Sequence, residues 1–209
     1  MTNKRRIIHA IALVLGLSLA QTATAQSQAA PGDPGNFIEQ LASQAIKVLS
    51  SPNGSIRERE ERFRDILRED FAMEQIARFV AGSYWRRMTP AEKETYQKLF
   101  SEWVLKTYSV RLGGYSGEQF QVIKSTPAGE RDVIVYTRIS KSGSNGFDAN
   151  WRVRREGDRY KIIDIYVEGV SMAITQRSEF ESIFRRHGVD GLISMLREKV
   201  TKLSNSSQG

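Results

Sequence analysis

The side chains that most often perform catalysis are scarce in this sequence. It has no cysteine and two histidines, His9 and His187, among 209 residues. A Cys/His zinc site, a cysteine nucleophile, a disulfide and an iron–sulfur cluster are therefore excluded. The segment Gly169-Val170-Ser171-Met172-Ala173 begins like the nucleophile elbow of a serine hydrolase but lacks the closing glycine. We interpret His187, which lies at the C-terminal end of a charged helix, as a residue whose positive charge would interact favourably with the helix dipole.

One carboxylate remains as a candidate general base. Asp164 lies within an apolar run, and burial raises the pKa of a carboxyl group toward the range in which it accepts protons. An isomerase or dehydratase would use Asp164 in this way. The alternative is a structural Asp164 that accepts hydrogen bonds from backbone amides at the turn toward Val167-Glu168-Gly169. Because no histidine or second apolar-embedded carboxylate accompanies it, we predict the structural role and no enzyme activity.

The elements around Asp164 follow from hydrophobic periodicity. Helical spacing predicts helices over 37–49, 56–68 and 71–84, and a long helix from Pro90 to Leu112 that opens with a capping box of Thr89 and Glu92. From Phe120 the period changes to two, which predicts strands over 120–122, 133–139, 147–153 and 160–167. Helices follow over 172–187, ended by Gly188, and 191–202. The predicted fold is α+β, with a curved four-stranded antiparallel sheet packed by N- and C-terminal helices.

The inward face of this sheet carries unusually small side chains. Val133, Val135, Thr137 and Ala149 would face the bulky stripe of the long helix, which includes Trp103, Tyr108 and Leu112. Small side chains beneath separated helices could leave an apolar cleft, a usual place for an apolar ligand. These residues taken alone favour the other arrangement, close packing into a filled core, as expected of an interaction or adaptor module without a ligand.

The first residues predict export. Lys4-Arg5-Arg6 precedes an apolar run over 7–20 and the small-residue site Ala23-Thr24-Ala25. About fourteen apolar residues are few for an uncleaved anchor, the alternative, which needs ~20. We expect a signal peptide over 1–25, a flexible leader over 26–35, a single domain over 36–203 and a polar tail over 204–209. The expected compartment is the periplasm of a Gram-negative bacterium.

Charge supports the same assignment. Removal of residues 1–25 takes away three of the 31 Lys and Arg and none of the 24 Asp and Glu, so the net charge falls from +7 to +4. Export argues against nucleic acid as a partner. The positive balance favours an anionic lipid surface or an acidic partner protein.

A run of motifs resembles one family over about 37–196. The most specific segment is Tyr160-Lys161-Ile162-Ile163-Asp164-Ile165-Tyr166-Val167-Glu168-Gly169-Val170-Ser171. Matching positions before and after it are Trp85, Thr89-Pro90, Phe100, Tyr108, Leu112, Tyr115, Arg177, Glu179-Phe180, Gly188, Gly191-Leu192-Ile193 and Leu196. The pattern is similar to that of the MlaC family, the toluene-tolerance family of periplasmic lipid-shuttle proteins. The chain departs from it at Gln176, where an aromatic residue is expected, and at Tyr160, where Trp is common.

The resemblance implies a carrier without cofactor or metal. It would hold phospholipid acyl chains in the cleft and shuttle the lipid between an inner-membrane ABC lipid transporter and an outer-membrane lipoprotein complex. A related branch leaves a hopanoid or another apolar lipid open as the ligand. From the pattern and the resemblance together, the residues expected to contact lipid are Phe100, Trp103, Tyr108, Leu112, Tyr115, Val133, Val135, Ala149, Trp151, Val167 and Val170.

Overall fold

The computed structural model describes residues 32–51, 55–112, 117–141 and 146–206. Helices precede and follow one antiparallel sheet, which is the predicted α+β architecture. The helices are α1 (Pro34–Leu49), α2 (Ile56–Asp70), α3 (Met73–Ala81), α4 (Pro90–Leu112) and α5 (Met172–Ser206), with a 3-10 helix over Gly82–Arg87. The strands are β1 (Gln119–Pro127), β2 (Asp132–Ser140), β3 (Phe147–Glu156), β4 (Arg159–Val167) and β5 (Val170–Ser171).

The long helix α4 begins at the predicted capping box. The Thr89 backbone N–H donates to Glu92 Oε2 at 2.6 Å, and the Glu92 N–H donates to Thr89 Oγ1 at 3.3 Å. These bonds satisfy two amides that have no partner within the helix. The Thr89 backbone N–H, followed by the Thr89 side chain, holds the pKa of Glu92 below its usual value. A second capping box, of Ser55 and Glu58, opens α2.

Two helices extend beyond the ends that their periodicity predicts. Helix α1 begins at Pro34, inside the predicted leader 26–35, because the Asp33 carboxylate accepts the Asn36 N–H at 2.9 Å and proline is well suited to a first helical turn. Helix α5 continues to Ser206, into the predicted tail 204–209. The predicted signal peptide lies outside the described residues.

The third helix also begins later than its periodicity predicts. Phe71 forms an isolated parallel bridge with Ile162 of β4, and the Ala72 N–H donates to the Ile162 carbonyl at 2.9 Å. The backbone is therefore extended at Phe71, and α3 begins at Met73. This bridge ties the helical part of the chain to the sheet.

The sheet is a meander in the order β1-β2-β3-β4-β5, and each pair of neighbours is antiparallel. It contains the four predicted strands and a two-residue fifth strand. Strands β1 and β4 each contain one extra residue that forms a bulge. The extra residue is Ile123 in β1 and Ile163 in β4. Because bulges bend a strand and increase its twist, they curve the sheet.

The outer face of the sheet carries an ionic cluster. Asp132 of β2 forms ion pairs of 2.7 Å with both Arg152 and Arg154 of β3. The hydrogen bond from Arg154 lowers the pKa of the Asp132 carboxyl most, and the hydrogen bond from Arg152 lowers it further. Together they outweigh burial, which raises the pKa, so the pKa of Asp132 lies below its usual value. Arg152, which strand alternation places on the outer face, is thus tied to its neighbouring strand.

The buried residues form three clusters rather than one. The first joins α3, α4 and α5 around Tyr96, Phe100 and Phe180, and the second packs α1 on the sheet around Ile38 and Val135. The third packs α2 against α4 around Phe63, Leu67, Met73 and Leu105. Helix α4 packs mainly on α2, α3 and α5, while α1 covers β1 and β2. The space between the clusters forms the site described below.

Helix α5 is interrupted where the sequence predicts it to end. Gly188 has φ 67° and ψ −167°, a non-helical conformation that favours glycine. The helix before it packs on α3 and α4 through Phe180 and Phe184, and the helix after it packs there through Leu192 and Leu196. The break therefore lets two helices share one aromatic cluster.

We predict that Gly188→Ala lowers the free energy of unfolding by about 1–3 kcal/mol, because only the backbone strain of the new side chain changes. A Cβ at Gly188 or at Gly32 meets no atom within 4 Å, and Gly32 lacks a positive φ, so Gly32→Ala is the matched control. Urea unfolding of both variants measures the difference. Equal stabilities would contradict the assigned role of Gly188.

Candidate functional site

A cavity of about 710 Å³ lies between the sheet and the helices. All five helices and strands β1 to β4 contribute to its wall, and most of the lining side chains are aliphatic or aromatic. Ligand sites in proteins span about 300–1,000 Å³ and are mainly apolar with a few placed polar groups. The cavity has the size and the chemistry of such a site.

The deep part of the cavity is formed by buried apolar residues of four helices. They are Ile38 and Leu41 of α1, Phe63 and Leu67 of α2, Met73 and Val80 of α3, and Phe100 of α4. No charged side chain lies among these residues, so this end offers only hydrophobic contact.

The mouth of the cavity is marked by the lining residues that are also exposed to solvent. Gln119 and Phe147 lie at the starts of β1 and β3, and Thr175, Glu179 and Lys199 lie on α5. Half-buried Glu118 and Gln176 lie beside them. Polar side chains therefore gather where the cavity opens to water.

Four of the residues expected to contact lipid line the cavity: Phe100, Trp103 and Tyr108 of α4, and Trp151 of β3. Trp151 is fixed by a hydrogen bond, because its indole N–H donates to Thr137 Oγ1 at 3.1 Å, and the Thr137 hydroxyl in turn bonds the Ala149 carbonyl. Its ring also meets Phe120 edge-on, with centroids 6.3 Å apart. Two neighbouring strands thus hold this large side chain in one orientation.

Five of the residues expected to contact lipid are not among those that line the cavity: Val133, Val135, Ala149, Val167 and Val170. Val135 is fully buried in the cluster that includes Ile38 and Leu41 of α1, and Val133 packs against the same cluster. Helix α1 fills the space above these small side chains. Ala149 is buried, while Val170 is 54% exposed at the short β5 strand.

Two further expected residues cannot be placed on the wall. Tyr115 lies outside the described residues, and Leu112 ends α4 with a side chain that is also outside the described part. Sequence reasoning instead missed the contributions of α1, α2, α3 and α5, which include Ala42, Ala45, Ile46, Ile66, Ile76, Met172 and Ala173. Their helical periodicity marks them as inward, but it does not distinguish contact with a cavity from contact with a neighbouring helix.

Thr107 is a lining residue with an unusual hydrogen-bonding state. Its Oγ1 atom is buried and finds no hydrogen-bond partner among the described residues. It lies one helical turn beyond Trp103 on α4 and lines the same cavity. A buried hydroxyl without a partner is energetically unfavourable.

Asp164 also lines the cavity, but protein donors occupy its carboxylate. Oδ1 accepts the backbone N–H groups of Ile165 at 2.8 Å and Ala173 at 3.0 Å, and Oδ2 accepts the Ser171 hydroxyl at 2.5 Å. Ser171 Oγ in turn accepts the Ile174 N–H at 3.0 Å. These bonds cap the start of α5 rather than the turn at Val167-Glu168-Gly169, where the sequence placed them.

No group of three or more His, Asp or Glu residues among the described ones is arranged to hold a metal ion. Of the described helices, none combines the length and the hydropathy needed to span a bilayer.

The fold and the cavity together define a class of protein: an α+β binding protein whose site suits an elongated apolar ligand with a polar end. The MlaC protein family matches residues 39–198, which is most of the chain. The chain therefore belongs to the MlaC family.

Two proteins illustrate the relationship. The chain is 22% identical over 175 residues to the intermembrane phospholipid transport system binding protein MlaC of Haemophilus influenzae, covering 79% of this chain and 81% of that protein. The structure is similar to that of a phospholipid-binding protein from Ralstonia solanacearum, solved in complex with a phospholipid. The TM-score is 0.73 at 18% identity, over 83% of this chain and 99% of the other. The second comparison establishes a shared fold.

We predict that Asp164→Asn lowers the free energy of unfolding by about 1–3 kcal/mol, because the amide replaces one acceptor oxygen by a donor and removes the charge. Ligand content per folded molecule should stay unchanged. Asp158→Asn, in the exposed turn between β3 and β4, is the control. Chemical unfolding and ligand analysis provide the two readouts. Full stability with loss of function would instead support Asp164 as a general base.

Proposed function

We propose that the protein is a periplasmic carrier that holds the acyl chains of a phospholipid in its cavity and moves the lipid between membranes. The observation that carries this proposal is the cavity itself, with apolar walls and a polar mouth. Membership of the MlaC family supports it, and so do the phospholipid-related names of the two similar proteins.

The energetics of the cargo require an apolar site that shields the acyl chains from water. Two acyl chains contain roughly 30 methylenes, and at ~0.8 kcal/mol each their exposure to water costs on the order of 20 kcal/mol. Transfer from a bilayer interior into the apolar cavity avoids most of that cost. Uptake and release can therefore be partition steps without covalent chemistry.

The same proposal includes the route of the lipid. The carrier would exchange lipid with an inner-membrane ABC lipid transporter and with an outer-membrane lipoprotein complex, which agrees with the predicted export signal. The net charge of +4 expected after cleavage favours approach to anionic lipid surfaces or acidic partners.

The enzyme alternative requires a free base in the cavity. Its candidate, Asp164, already accepts three hydrogen bonds from protein groups that cap α5. Protonation would weaken those bonds, because a neutral carboxyl is a poorer hydrogen-bond acceptor than a carboxylate. The proposed function therefore assigns no catalysis to this carboxylate.

Filling the cavity provides a direct test. Ala42 of α1 is half-buried and lines the cavity, so Ala42→Trp places a large ring where acyl chains would lie. We expect the lipid bound per protein to fall at least about twofold, while stability changes by less than ~1 kcal/mol because the ring occupies ligand volume. Mass spectrometry of organic extracts, together with thermal unfolding, measures both quantities.

Two further variants control this experiment. Ala91→Trp adds the same ring at an exposed position of α4 outside the cavity and should keep its lipid. Val135→Trp overfills a packed cluster and should cost about 1–3 kcal/mol in stability. A folded Ala42→Trp protein with wild-type lipid content would place the ligand elsewhere. A triterpenoid in the wild-type extract would favour the hopanoid alternative.

A further inference from the structure

Three apolar side chains are exposed together on the outer surface beside the cavity. Phe79 of α3 is 44% exposed, Val170 of β5 is 54% exposed and Ile174 of α5 is 55% exposed. None of the three lines the cavity, although the residues on both sides of Ile174 do. Exposed apolar side chains that gather on one surface mark a place where a protein meets a partner or a membrane.

Arg177 of α5 joins these side chains into one surface. Its guanidinium carbon lies 5.2 Å from the centroid of the Phe79 ring, within the range of a cation–π interaction. Ile174 lies three residues before Arg177, so the two side chains share a face of the helix. Val170 directly precedes Ser171, whose hydroxyl accepts the Ile174 N–H at 3.0 Å and caps the helix. Phe79, Val170 and Ile174 therefore form one patch, here called the rim patch.

Four arginines lie around the rim patch. Arg78 is exposed on α3, and Arg86 and Arg87 are exposed on the 3-10 helix. The guanidinium of Arg177 packs over Gly82, the first residue of that 3-10 helix, because a Cβ at Gly82 would lie 3.0 Å from Arg177 Nε. Arg177 thus connects the apolar patch with the basic 3-10 helix.

Few carboxylates neutralise this part of the surface. Segments 73–87 and 172–187 together carry six arginines and three glutamates, which is a net charge of +3. The four arginines around the patch form no ion pair among the described residues, whereas Arg185 pairs with Glu181 at 4.0 Å. The surface is therefore positive around an apolar centre, and it attracts anionic groups.

An anionic bilayer complements this arrangement at both levels. Lipid phosphates meet the arginines, and the acyl boundary a few ångströms deeper meets the apolar side chains. The arginines come from three separate elements, and mobile headgroups can pair with each of them without a fixed geometry. The patch also adjoins the residues of α5 that line the cavity, so contact there brings the cavity wall close to the membrane.

We propose that the rim patch and its four arginines dock the protein on anionic bilayers, with Phe79, Val170 and Ile174 entering the boundary between headgroups and acyl chains. The inference goes beyond the proposed carrier function, since it concerns how the protein meets a membrane and does not depend on the identity of the cargo. Exposed charges are screened by salt, and shallow burial of three side chains is reversible. The attachment is therefore transient, which allows the protein to leave the membrane again.

Vesicle flotation measures this docking directly. Protein purified without detergent is mixed with vesicles of phosphatidylcholine, or of phosphatidylcholine and phosphatidylglycerol, at low and at high ionic strength. The wild type should bind the anionic vesicles at least about tenfold more strongly at low ionic strength and lose this preference in high salt.

Variants of the patch separate its two contributions. Arg86→Gln and Arg87→Gln should each lower binding to the anionic vesicles about fivefold, the fold-change that corresponds to ~1 kcal/mol for each cation near the surface. Ile174→Ser should lower it roughly three- to tenfold, because partial burial of the isoleucine is lost. These side chains are exposed, so the variants should fold, which circular dichroism checks.

Matched variants on other surfaces serve as controls. Ile123→Ser changes a side chain that is 56% exposed on β1, at the opposite edge of the sheet from β5. Arg131→Gln and Arg159→Gln remove exposed cations at the end of the sheet opposite to Val170. All three should bind within about twofold of the wild type, because they lie away from the membrane contact.

Two results would overturn the inference. One is a folded wild type that does not bind anionic vesicles at low ionic strength, which would leave an acidic protein as the partner of this surface. The other is an equal loss of binding in Ile174→Ser and Ile123→Ser, or in the arginine variants and their controls. Either result leaves the carrier function intact, because the extraction of bound lipid tests that function separately.

Discussion

The aromatic contact between α4 and α5 is the interaction on which the cavity depends. Phe100, Trp103 and Phe180 meet at centroid distances of 5.8 to 6.1 Å, and Tyr96 joins them from the preceding turn of α4. The buried Tyr96 hydroxyl donates to the Ala77 carbonyl at 2.9 Å, and burial raises its pKa, so it stays a neutral donor. These contacts hold α3, α4 and α5 together. None of them requires α4 to pack directly against the sheet.

A second constraint keeps the sheet away from that helical cluster. Helix α1 covers β1 and β2, and the Phe71–Ile162 bridge fixes the distance between α2 and β4. Trp151 of β3, held by its hydrogen bond to Thr137, forms part of the cavity wall on the side of the sheet. Each layer is thus packed against its own partners, and the apolar surfaces left between them are available to a ligand. Close packing elsewhere maintains the space, because its walls cannot relax inward without breaking those contacts.

Local signals allowed most of the fold to be predicted from the sequence. The Thr89–Glu92 capping box, the Gly188 break and the alternation in β3 depend on residues within a few positions of one another. The missed features depend on distant partners. Alternation correctly turns Val135 inward, yet only the position of α1 decides that it meets Ile38 rather than a ligand. Phe71 likewise leaves its helix because of Ile162, which lies about ninety residues away in the chain.

In the proposed function, lipid partitions between the apolar interior of a membrane and the apolar cavity. The most direct test of this proposal is the mass of the intact protein with its ligand. Native mass spectrometry of the protein purified without detergent should show the polypeptide mass plus that of whole phospholipid molecules, and the increment should disappear after extraction with organic solvent. A spectrum of the bare polypeptide alone under gentle conditions, from folded protein, would contradict the account. An increment that matches only a lipid without phosphate would contradict its assignment of the cargo.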